Sequence, residues 1–280
     1  MVSPLFSPIT HKLTQNSGSN IKDLLEYLEV NRDFLDLEDP NLLQRFWHKV
    51  KIGQEKLIKV IKKIKLAAVW LPDQEQIMIH STLPKQKQEW ASFHDTTHTL
   101  LKWHRPYFLG DTAQTLDPDF QEQLENEANY GASALMFGGV VFTKDALDTK
   151  PDWSSIDLLS KKYKKSLVTT LRRYVQFSHN IPMAMMVSTP WWKEFQKGQE
   201  HPWRHFIPSR RFEIEFSHVT PSEIHEQIRS NVRYRSGGQV GDFDFCVIDI
   251  KGEGHVFHAT SFYNQHDLLT LIVHIRKSKG

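Results

Sequence analysis

The chain has 280 residues, 39% of them hydrophobic and 24% charged, the balance of an ordinary soluble globular protein with room for two small domains. Lys and Arg (35) barely exceed Asp and Glu (33), and a net charge of +2 excludes any general electrostatic drive towards nucleic acid. No apolar run approaches the ~18–20 residues of a membrane span, the N-terminal stretch lacks the pattern of a secretory signal, and the single cysteine excludes an internal disulfide and a thiolate metal cluster. A reducing, cytoplasmic setting follows, with no membrane association. Cys246, in the run FDFCVIDI, is expected to be a buried, inert thiol.

In chain order, residues 1–19 read as a flexible tail. Helical periodicity covers 20–36 and 40–64, the second helped by Pro40 in its first turn. Within it KLIKVIKKIK, residues 56–65, sets lysines opposite an isoleucine-rich face, a pattern that is usually a solvated surface. LAAVWL and QIMIHS around a PDQ turn predict a β-hairpin over 66–81. After Pro84 a helix is predicted from Lys85 to Trp103, then a loop over 105–118 and a helix from Asp119 to Phe137. The small residues Ala128, Gly131, Ala132 and Ala134 would let that helix approach a neighbour closely.

Two helical stretches lie between Trp153 and His179, parted near Lys164–Ser166. The tract 188–210, rich in Pro, Trp and His, reads as an irregular linker. Beyond it RFEIEF alternates as a strand, PSEIHEQIRSNVRYR is helical from Thr220 and Pro221, and FDFCVIDI, HVFHATSF and LLTLIVHI are strands. There is no internal repeat.

His94 and His98 stand four apart within the predicted helix 85–103, so both imidazoles share one face and can reach one ion. With 15 histidines in the chain, chance alone supplies about one such pair. His201 and His205 have the same spacing, but Pro202 and an irregular tract argue against a shared helical face. His255 and His258 fall on opposite faces of their strand by parity. The next helix carries Glu122, Glu125 and Glu127, and hydrolytic zinc sites commonly combine two histidines with a carboxylate. On spacing and context alone, a metal pair and two ordinary core or surface histidines stand about even.

The stretch KQKQEWASFHDTTHTLLKWHRPYF followed by LENEANYGASALMF resembles the ImmA/IrrE family of metallo-endopeptidases, which carry an HExxH helix and then a second helix reading roughly E-x-E-A-N. The resemblance covers about residues 65–145. It implies an α+β fold: a minimal zincin-like core of helices and a small antiparallel hairpin over 20–150, a helix-turn-helix-like element over 151–187, and a small α/β, sensor-like domain over 211–280. His94 and His98 take the places of the metal-binding histidines and Glu125 that of the carboxylate ligand. Glu127, two residues on, points to another face. The metal implied is Zn2+, with Mn2+ or another divalent ion compatible with the same ligands.

One departure bears on the chemistry. Asp95 stands where the family has Glu, and its carboxylate reaches roughly 1.5 Å less far; a misplacement of ~1 Å can cost about a hundredfold in rate. Asp95 is the candidate general base, and His104 the leading candidate oxyanion donor ahead of Tyr107 and Tyr130, each weighed against an ordinary loop or core role. The function implied is a zinc-dependent endopeptidase that cleaves a specific cytoplasmic regulatory protein, repressor- or antitoxin-like, by metal-activated water. Two alternatives remain open: a catalytically weak or inactive pseudo-peptidase that binds a protein partner, and a DNA-binding regulator acting through residues 154–179. In the latter, Lys164, Lys165, Arg172 and Arg173 would meet phosphates, although direct nucleic-acid binding is not expected. Substrate and oligomeric state are not encoded in any recognisable motif.

Overall fold

The computed structural model describes residues 21–35, 68–71, 75–105, 118–194, 199–233 and 236–278. The tail, the helix expected over 40–64 with its lysine-rich face, the PDQ turn and most of the 105–118 loop, Tyr107 included, lie outside the described residues. Two compact units result, Met1–Val141 and Phe142–Gly280. Both helices and sheet are present, an α+β fold, and no helix among the described residues is long and apolar enough to cross a membrane.

In the first unit helix α1 (Ile21–Tyr27) buries Ile21, Leu24 and Leu25. It stops short of the helix expected over 20–36. Glu29 turns into the left-handed region at φ 55°, and Asn31–Leu35 continues as strand β1. Strands β2 (Ala68–Leu71) and β3 (Gln76–His80) form the predicted antiparallel hairpin, and β1 adds to the other edge of β3 in parallel, giving the order β1-β3-β2. The small sheet is therefore mixed rather than purely antiparallel. NRDFL has weak local preferences; the open edge of β3, whose Ile77 and Ile79 are fully buried, decides its state.

Helix α2 (Lys85–Leu100) packs against β2 and β3 and against helix α3 (Pro118–Phe137). Its inward face is unusually polar, and the hydroxyls are satisfied within the helix: Ser92 donates to the Gln88 carbonyl at 2.7 Å, Thr96 to Ser92 at 2.6 Å and Thr97 to Phe93 at 2.9 Å. Helix α3 buries Ala128, Ala132 and Ala134, the small residues that permit close approach. It closes on Gly138 and Gly139, both at positive φ, with the Gly139 N–H donating to the Ala134 carbonyl at 2.7 Å.

Helix α4 (Val140–Leu147) leads into the second unit, where α5 (Trp153–Tyr163) and α6 (Leu167–Phe177) form the expected helical pair. Asp152 and Ser166 cap their N-termini, accepting from Ser155 and Thr169 backbone N–H groups at 3.0 and 3.2 Å. Helix α6 buries Leu171, Tyr174 and Val175 and packs on the sheet. Arg173, expected to be able to meet phosphate, is only 3% exposed, with its guanidinium 4.5 Å from the Phe177 ring centre, so it cannot reach a nucleic-acid backbone.

The sheet of this unit has five strands, β4 (Met183–Ser188), β5 (Trp203–Pro208), β6 (Gly238–Ile248), β7 (Gly254–Tyr263) and β8 (Leu268–Lys277), in the order β5-β4-β8-β7-β6 with every neighbour antiparallel. The tract 188–210 expected as a linker thus contributes β5, and the all-buried β4 precedes it. Gly, Pro and Trp in the connection mask two strands whose pairing is long-range. RFEIEF is also not a strand: Ser209 caps a short helix α7 (Arg210–Glu215) by accepting from the Phe212 N–H at 3.3 Å. Its alternation is equally an i, i+4 pattern, in which Phe212 and Phe216 pack on Phe257 at ring separations of 5.6 and 5.0 Å while Ile214 is exposed. Helix α8 (Pro221–Asn231) opens on the Thr220–Glu223 capping box. Cys246 is exposed, correcting the expected buried thiol: β6 is an edge strand, and Phe245 and Val247 take its inward face.

Lys164 ends α5 in the left-handed conformation at φ 53°, where the Lys165 N–H donates to the Ser160 carbonyl at 3.1 Å. Glycine is free of the steric cost a Cβ brings there. Lys164→Gly is expected to stabilise the protein by about 0.5–1 kcal/mol, read as a higher urea midpoint with unchanged slope. A lower midpoint would show that the lysine side chain contributes more than its backbone costs.

Candidate metal centre

The pairing of α2 with α3 brings His94, His98 and Glu125 together, one ligand atom of each lying within 4.8 Å of the others. His94 Nε2 stands 3.1 Å from His98 Nε2 and 3.2 Å from Glu125 Oε2, and His98 Nε2 is 3.8 Å from Glu125 Oε1. Ligands bonded at ~2.0–2.1 Å in a tetrahedron stand about 3.3 Å apart. These separations fit one small divalent ion. His94 Nδ1 contacts the Asn129 amide oxygen at 3.2 Å, the outer contact that turns a ring so that its other nitrogen faces an ion. Three donors, two imidazoles and a carboxylate, suit a site that keeps a position open.

Electrostatics support the same picture. Burial chiefly holds His98 neutral, lowering its pKa to about 3, with His94 acting in the same direction. Burial also pulls His94 down, but the Glu125 contact, Asp95 and Asn129 outweigh it, and the net direction is up. The His94 contact lowers Glu125. His94 Nε2 thus stands between His98 Nε2 and the Glu125 carboxylate, at the point where the donors converge.

Asp95 is 8% exposed, and its Oδ2 is buried without a hydrogen-bond partner. Burial raises its pKa from 3.8 to about 7; His94 opposes the rise and Glu125 adds to it, so the carboxylate lies within the field of the cluster. His104, by contrast, is fully buried with both ring nitrogens engaged: Nδ1 is 2.7 Å from His98 Nδ1 and Nε2 is 3.0 Å from Glu127 Oε2. Both nitrogens are thus taken up within the protein, one of them by the ligand candidate His98. Glu127, expected as a neighbour or packing residue, also accepts from Trp103 Nε1 at 2.7 Å and from Gln123 at 3.2 Å. Tyr130 is half-buried on α3. Sequence reasoning missed the contacts of Asn129 and of the His104–Glu127 pair; the W-H-R and E-x-E-x-N spacings carried them, but only the approach of the two helices reveals who meets whom.

A model of the IrrE N-terminal-like domain, family Peptidase_M78, matches residues 54–174. Residues 54–174 are similar to that family. An IrrE-like peptidase domain implies a divalent metal, and both helices of the cluster fall inside the matched span. A search of curated proteins finds no match. A solved Mycobacterium tuberculosis transcriptional regulator is similar in fold, with a TM-score of 0.53 and 10% identity over 98% of this chain and 88% of that one.

The other histidine groups do not compete with the IrrE-like cluster. His201 stacks on Trp203 and His205 lies on β5, so that pair has no helical face. His258 contacts Asp242 and Asp244. Asp249, Glu253 and His255 also gather ligand atoms, but the Lys277 ammonium already pairs with Glu253 there.

The raised Asp95 pKa makes a stability prediction for the metal-free protein. A folded-state value above the unfolded one means the folded chain holds the proton more tightly, so the contribution is greatest below about pH 4 and is lost as pH rises to about 7. The full loss is on the order of 4 kcal/mol. Asp95→Asn is expected to abolish this dependence, so that urea unfolding shows the variant gaining on the parent as pH rises from 4 towards 8. Parallel pH profiles for the two proteins would rule the buried carboxyl out as the source.

Proposed function

We propose that this protein is a zinc-dependent endopeptidase that cleaves a specific cytoplasmic regulatory protein, of the repressor or antitoxin kind. His94, His98 and Glu125 hold the metal and Asp95 is the general base. The observation that carries this reading is the convergence of two imidazole nitrogens and a carboxylate on one point, with Asp95 buried on the helix of the two histidines and its Oδ2 without a hydrogen-bond partner. Zinc is preferred for its affinity for imidazole, and Mn2+ remains compatible with the donors.

A divalent ion in such a site supplies Lewis acidity, polarising the scissile carbonyl and making water acidic near neutral pH. Asp95 accepts a proton from the attacking water as the new C–O bond forms, and returns it to the amine nitrogen as the peptide C–N bond breaks. Asn129 holds the His94 ring in place.

A second reading is favoured by the shorter reach of Asp95: a pseudo-peptidase that binds its protein partner without cutting it. The two separate experimentally. Metal content by elemental analysis is expected to be about one zinc per chain for the parent and near zero for His98→Ala. Asp95→Ala is expected to keep its metal while producing none of the new protein N-termini that the parent generates in a cytoplasmic lysate. Equal metal content in parent and His98→Ala would sink the site; new termini appearing only with Asp95→Glu would establish the pseudo-peptidase.

A further inference from the structure

Behind the cluster runs a chain of side chains that the metal ligands alone do not require. Glu127 Oε2 lies 3.0 Å from His104 Nε2, and His104 Nδ1 lies 2.7 Å from His98 Nδ1. His98 Nε2, at the far end, is the atom that faces His94 and Glu125. His98 is 2% exposed and His104 fully buried, so no solvent stands in for any of these contacts.

The donors along this chain follow from Glu127. Its carboxylate only accepts, so His104 must carry its proton on Nε2 to make the contact. A neutral imidazole, the ordinary form at mildly alkaline pH, then offers a bare lone pair on Nδ1. The short contact to His98 needs one hydrogen between two Nδ1 atoms, and the only group left to supply it is the His98 Nδ1–H. A neutral His98 with its proton on Nδ1 presents a bare Nε2 to the cluster. If Glu127 did not demand the His104 proton, the whole chain could reverse. His104 would donate from Nδ1, and His98 would carry its proton on Nε2, where it would block ligation.

We infer that Glu127 and His104 are positioning residues that set the tautomer of His98 through two successive ring contacts and so keep its Nε2 open for a metal. Trp103 Nε1–H and the Gln123 amide also donate to Glu127 but are not part of the proton order. The inference rests on the proposed metal site, but the tautomer it predicts belongs to the metal-free chain as well. Outer partners of ligating histidines typically tune metal affinity by about 10–100-fold.

The test uses the full chain in two measurements. The first is zinc affinity by competition with a chromophoric chelator for the parent, Glu127→Gln, His104→Phe, Trp103→Phe and His98→Ala. The second is the two-bond 1H–15N ring correlation of metal-free, histidine-labelled protein at mildly alkaline pH. The parent is expected to show His98 as the Nδ1–H tautomer. Glu127→Gln, which keeps size and fold but removes the charge, is expected to move His98 towards Nε2–H and to weaken zinc by about 10–100-fold. His104→Phe is expected to weaken it in the same range, and Trp103→Phe to stay close to the parent. A parent already in the Nε2–H form overturns the relay, as does a Glu127→Gln variant with parental tautomer and affinity. If the parent binds no more zinc than His98→Ala, the metal site fails instead, and the tautomer measurement still decides the relay.

Discussion

Three electron-pair donors held within 3.1–3.8 Å of one another repel unless a positive charge lies between them, and the rest of the first unit answers to that constraint. In the proposed enzyme that charge is a divalent ion. The donors must be delivered by a rigid frame, because separations of a few tenths of an ångström decide whether an ion fits. The frame is α2 seated on the small sheet and crossed by α3. The polar inward face of α2 costs little because Ser92, Thr96 and Thr97 return their hydroxyl protons to the helix's own carbonyls.

The same frame explains why Asp95 is a group under tension. It shares the helix turn with His94, yet burial leaves Oδ2 without a donor, and its carboxyl titrates far above the ordinary range. A buried, unsatisfied polar atom in an otherwise well-satisfied helix marks a place where stability has been given up. Catalytic use of that proton is the reading that gives the sacrifice a purpose. The Glu127–His104–His98 chain is its counterpart: every atom in it is satisfied, and the proposed result is a fixed proton order on the ligand.

The second unit is built on different physics. Its five antiparallel strands bury β4 and most of β8 and place α7 and α8 over Phe257 and its aromatic neighbours. Helices α5 and α6 have the helix–turn–helix outline, but α6 spends its apolar face and Arg173 on the unit's own interior. An outline of two helices and a three-residue turn therefore says little about nucleic acid until the burial of the basic residues is known.

The sequence by itself determined the elements whose signals are local. These include the hairpin, the helix start at Thr220, the break at Lys164–Ser166 and the one-turn spacing of His94 and His98, because hydrogen bonds and contacts between near neighbours govern all of them. With a family likeness it also named Glu125 in preference to Glu127. Only the tertiary structure decided what depends on partners distant in the chain. Asn31–Leu35 became a strand because β3 had a free edge. Met183–Ser188 and Trp203–Pro208 entered the sheet beside β8, and RFEIEF became a helix because its two phenylalanines met Phe257 one turn apart. At the site, the meeting of Glu127 with His104 joins residues from separate helices across 23 positions, a contact that no local periodicity encodes.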